Sequence, residues 1–173
     1  SQRDQPQASA HDRAQAFGDL GTALLGAKYL DAAEPALLNA AALEPTNMRW
    51  PYYLGHLYRA KSDIPSAAAQ FERALTLAPS DVPTLVWLSD IYIGEGRTDQ
   101  AEPFVQRALA LDARSVAALY HAGRLALART DYDTAIRQFE AALVIDGTAT
   151  AIHYPLGMAY RGHTTKVVFD FDK

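Results

Sequence analysis

The chain has 173 residues, 49% of them hydrophobic, a formal charge of −4 and no cysteine. That is enough apolar material for a buried core, and it excludes disulfides and thiolate metal sites. No run of lysines or arginines offers a strip for nucleic acid, and no apolar run of about 18 or more residues is there to span a bilayer. The chain therefore reads as soluble, and its alanine-rich, arginine-over-lysine composition looks like that of a bacterial protein of the cytoplasm or periplasm.

In chain order, residues 1–13 open with SQRDQPQASA, polar and aperiodic, and are expected to be a disordered leader. From Ala14 a 34-residue period sets in, with units at 14–47, 48–81, 82–115, 116–149 and a partial one at 150–162. The eighth residue of each unit is small: Gly21, Gly55, Ser89, Gly123, Gly157. The twentieth is Ala33, Ala67, Ala101 and Ala135, and the twenty-fourth is Leu37, Phe71, Val105 and Phe139. Pro45 and Pro79 close the first two units.

Each unit predicts two helices joined by a turn. In the second, Trp50, Leu54, Leu57 and Tyr58 form one apolar stripe, and Ala67, Phe71, Ala74 and Leu75 form the other. Gly55 and Ala67 let the two backbones come close. Asp31 with Glu34, and Asp99 with Glu102, have the spacing of reciprocal N-terminal caps, so two second helices are expected to start there. Pro35 and Pro103 would then fall in a first turn, where proline is tolerated. Pro155 lies further inside its helix and predicts a late start or a kink. Residues 163–173 carry β-type residues in partial alternation and read as an extended tail in place of a second helix.

This period, with its order of small, aromatic and proline positions, resembles the tetratricopeptide repeat. The resemblance implies an all-α fold, a right-handed solenoid of helix-turn-helix units, and non-catalytic protein or peptide binding as a scaffold or adaptor. It also implies that the concave wall is drawn from positions 2, 5, 9 and 12 of the first helices, with position 6 nearby. The contacting set would be Arg49, Tyr52, His56, Arg59, Trp87, Asp90, Tyr120, His121, Arg124, Tyr154 and Arg161. Arginine holds a carboxylate with two parallel bonds and flat aromatics add contact area, so the wall suits an extended peptide with acidic and apolar side chains. The carboxylate-clamp positions of the chaperone-tail binders in this family hold Gly18, Thr22, Tyr53, Pro83 and Trp87, which excludes that ligand. Alternatively, the acidic, aromatic tail fills the groove of its own or a neighbouring molecule, giving autoinhibition or a homo-oligomer.

Catalytic apparatus is not legible. The five histidines, His11, His56, His121, His153 and His163, form no spaced pair with a second ligand on one helical turn, so neither a metal nor a cofactor is expected. The segment Val-Val-Phe-Asp-Phe-Asp resembles the first strand of haloacid-dehalogenase-type phosphatases, which would make Asp170 the nucleophile and Asp172 the general acid/base. The later residues of that family's site have no counterpart here.

Overall fold

The fold was obtained as a computed structural model, which describes residues 9–171 and their side chains through residue 165. All the described elements are helical. The chain divides between Pro79 and Ser80 into two compact units.

The first unit contains α1 (Ala10–Gly26), α2 (Leu30–Leu43), α3 (Arg49–Ala60) and α4 (Ile64–Leu77). Helix α1 starts four residues ahead of the repeat register, capped by Ser9, whose hydroxyl accepts from the Asp12 backbone while the Asp12 carboxylate accepts from the Ser9 backbone. Its core joins Ala33, Leu37 and Ala40 of α2 to Trp50, Leu54 and Leu57 of α3. The buried Trp50 indole donates to Glu44 at 3.2 Å, so its polar edge is not left unpaired.

The second unit contains α5 (Val82–Gly94), α6 (Thr98–Leu111), α7 (Val116–Ala128), α8 (Tyr132–Ile145) and α9 (His153–Phe171). Asp81, Ser115 and Asp131 cap α5, α7 and α8 through their side chains. Leu119, Ala126, Phe139, Ala142, Ile152 and Ala159 make the core of its C-terminal part. Consecutive helices in both units are joined by short turns, as antiparallel helical hairpins require.

Two local rules generate the pairs. A residue in the left-handed region reverses the chain between first and second helix, at Lys28 (φ 64°), Ser62 (φ 61°), Gly96 (φ 73°) and Thr130 (φ 59°). These sites recur every 34 residues, yet only one is glycine. Close approach is the second rule: a Cβ on Gly55 would meet the Phe71 ring at 2.7 Å, and one on Gly123 would meet the Phe139 ring at 2.5 Å. Only a missing side chain lets those rings seat.

Four expectations need correction. Asp31 and Asp99 do not cap helices, because the N-caps of α2 and α6 fall two residues earlier, at Tyr29 and Arg97, with no side-chain cap. Their carboxylates are instead drawn to cations on the following helix pair. Lys61 Nζ lies 2.8 Å from Asp31 and 2.7 Å from Glu34, and Arg129 Nη2 lies 2.9 Å from both Asp99 and Glu102. With the earlier starts, Pro35 and Pro103 stand beyond the first turn, inside their helices. Each forfeits one backbone bond without ending the helix.

The third correction concerns the tail. Residues 163–171 continue α9 as helix and are not extended. Once α9 is nucleated and packed through Ala159, each added residue fixes its backbone at the low cost of propagation, which outweighs the weak strand preference of Val and Phe. A strand from residues 163–171 lying in the chain's own groove, and the phosphatase-type strand before Asp170, both lose their backbone basis; Asp172 lies outside the described residues. The expected late start at Pro155 is observed, as a 3₁₀ turn over Thr150–Ile152 ahead of α9. The fourth correction, at His121, belongs to the site.

Candidate functional site

In the first unit, Arg49, Tyr52, His56 and Arg59 lie three or four residues apart on α3, one stripe of the helix. Tyr52, Tyr53 and His56 line a concavity of about 560 Å³ with Thr22, Leu25 and Gly26 of α1. The His56 ring packs edge-on against Tyr52 (4.6 Å) and Phe71 (5.2 Å). Burial, reinforced by the Arg59 charge, lowers its pKa to about 4, so the ring is neutral at pH 7. Arg49 donates to Gln15 Oε1 at 3.0 Å and lies over the Trp50 ring, so its charge is already engaged.

The second unit holds the other seven residues. Trp87 and Asp90 are on α5, Tyr120, His121 and Arg124 on α7, and Tyr154 and Arg161 on α9. Asp90 and Arg124, 34 residues apart, are joined by an ion pair, with His121 Nδ1 3.3 Å from the same guanidinium nitrogen. His121 is only 7% exposed, so it is not a contacting residue of the wall but a packed one behind it. Burial first, and the Arg124 charge with it, outweigh the opposing pull of Asp90 and lower its pKa to about 4. Position 6 therefore faces inward here, which the bare register did not reveal.

Beside this cluster, Tyr120, Arg124, Leu127, Ala128, Ala151, Tyr154, Pro155 and Met158 line a concavity of about 450 Å³. Tyr154 is 78% exposed and Met158 36%. Arg161, exposed, lines a neighbouring hollow of about 300 Å³ with His153, Tyr154, Gly157 and Met158, and among the described residues nothing is bonded to its guanidinium. Leu127, at position 12 of its unit, and Tyr53, at position 6, are lining residues that the contacting set did not include. No cluster of histidines and carboxylates suited to a metal occurs among the described residues. Nor, among them, is any helix long and apolar enough to cross a membrane.

Two family models described as tetratricopeptide repeat match the chain, one over residues 18–82 and the other over 58–124. The chain belongs to the tetratricopeptide-repeat family. Its repeats superpose on those of a MamA protein with a TM-score of 0.78 at 20% identity, over 92% of this chain and 88% of that one. MamA from Desulfovibrio magneticus RS-1 gives a TM-score of 0.76 at 15% identity, over 95% and 99%. YrrB, described as a TPR protein with an unusual peptide-binding site, gives 0.71 at 22%, over 84% and 75%. At these identities the likeness is one of fold. No curated protein sequence matches the chain. The wall of this tetratricopeptide-repeat protein must therefore be read from its own side chains.

Proposed function

We propose that the protein is a non-catalytic peptide-binding module, and that the α7–α9 concavity takes an extended segment pairing an acidic with an aromatic or aliphatic side chain. One observation carries this reading. Arg161, a cation with no partner among the described residues, borders apolar surface from Met158 and Tyr154. Exposed Tyr154 supplies a flat anchor that loses little rotamer freedom on binding. The guanidinium supplies two-bond recognition of a carboxylate. Arg124, paired with Asp90, is neutralised at the rim and is not free to reach outward. Peptide binding by tetratricopeptide repeats, as in the description of YrrB, fits the same reading.

The test is selection of peptides from a displayed random library on the folded protein. Enriched sequences should carry Asp or Glu next to Phe, Tyr or Leu. Their synthetic counterparts should bind a Tyr154→Ala, Arg161→Ala double variant at least about tenfold more weakly. Enrichment of basic peptides, or equal affinity for the double variant, would refute the assignment.

A further inference from the structure

The hollow of the first unit carries chemistry that the α7–α9 concavity lacks, although the same repeat positions line both. Leu25, Gly26 and Tyr52 stand where Leu127, Ala128 and Tyr154 stand three repeats on. The other walls differ: Thr22 takes the place of Arg124, Tyr53 that of Pro155, and His56 that of Met158. None of the residues lining the first hollow carries a charge at pH 7, because burial holds the His56 imidazole neutral. Its walls, the last turn of α1 and the middle of α3, belong to neighbouring repeats within one compact unit, so the opening does not depend on what precedes or follows the chain.

The rings are set before any ligand arrives. Tyr52 meets Tyr53 edge-on at 5.6 Å and Phe71 at 6.0 Å, and Phe71 is itself fully buried. The hollow is therefore aromatic, uncharged and a source of donors, with two phenol hydroxyls and one imidazole N–H among its lining groups. The Tyr53 hydroxyl has no hydrogen-bond partner among the described residues. A matching ligand brings apolar rings and carbonyl acceptors, but neither charge nor N–H donors. A proline-rich chain in the polyproline II conformation has that composition: its carbonyls make no internal hydrogen bonds, and it has no backbone N–H to strand. We propose that the α1–α3 hollow binds an uncharged, proline-rich segment of a partner protein, the proline rings against Tyr52 and Tyr53 and the carbonyls accepting from the phenol hydroxyls. Such a segment is already extended, so little freedom is lost on docking. The site uses none of the residues assigned to the acidic-aromatic ligand, and the two assignments stand or fall separately.

The probe is acetylated, amidated octaproline carrying an uncharged fluorophore, beside a glycine–serine peptide of equal length, with and without a central phenylalanine. Saturable binding of octaproline to the 173-residue chain is expected, with the same affinity at low and high salt because no charge takes part. Thr22→Trp, on the partly exposed surface of α1, should fill the hollow and weaken binding at least about tenfold while leaving the thermal melt in place. Tyr53→Phe keeps the ring, removes the hydroxyl and should weaken binding about fivefold. The Tyr154→Ala, Arg161→Ala variant should bind octaproline as the wild type does, which separates this hollow from the α7–α9 concavity. No saturable binding, tighter binding of the phenylalanine peptide, or affinity indifferent to Thr22→Trp would overturn the proposal.

Discussion

At the scale of single residues, the left-handed turn positions and the buried histidine make the sharpest predictions. Thr130, β-branched, holds a φ of 59° that glycine adopts freely. Thr130→Gly should therefore stabilise the protein by roughly 0.5–1 kcal/mol, the strain relieved less the extra freedom glycine has when unfolded. Gly96→Ala should cost about 1 kcal/mol for the converse reason. Urea midpoints that do not move in opposite directions would contradict this. His121 is neutral in the fold and is faced by Asp90 and Arg124. Its pKa is depressed from 6.5 to about 4. The unfolded chain thus takes up a proton that the folded one refuses. The resulting stability is intact above pH 6.5 and is lost as pH falls toward about 4. His56 acts with the same sign. The urea midpoint should fall across that window, and His121→Gln should flatten the fall; parallel curves for the two proteins would contradict the assignment.

Among elements, the pairing of helices depends on whether a small residue faces a ring. Gly123→Ala should cost about 1–3 kcal/mol by forcing Phe139 aside. Gly157→Ala, on the same repeat position but with open space before it, should gain about 0.5–1 kcal/mol from helix preference alone. Thermal melts of the two variants should shift in opposite senses. This scale was also the most legible in sequence, because a 34-residue register fixes which small residue meets which large one. What misled was chemistry with two uses. Asp31-x2-Glu34 has the spacing of a cap, yet its carboxylates meet Lys61, and Asp99-x2-Glu102 meets Arg129 in the same manner. The signal was present: in both cases the cation follows the glutamate by 27 residues. Such ion pairs are partly solvated and position helices more than they stabilise them. The tail misled because local strand preference counts for little next to a helix already nucleated.

For the whole molecule, the repeat was readable but the site was only half so. Register placed Tyr154 and Arg161 on one face of α9, and the structure leaves both exposed. It could not show that Asp90 neutralises Arg124, that Arg49 is engaged with Gln15 and Trp50, or that His121 is buried, since those depend on contacts across repeats. Of the wall arginines, Arg161 is the one whose guanidinium has no bonded partner among the described residues. The direct test is the affinity of a selected acidic-aromatic peptide for wild type and for Arg161→Ala, each titrated at low and high salt. Binding by the wild type should weaken as salt rises, because a solvent-facing ion pair is screened, and the variant should bind weakly with a flatter salt dependence. Equal affinity and equal salt dependence in the two proteins would show that Arg161 does not hold the ligand and that the concavity is not the site.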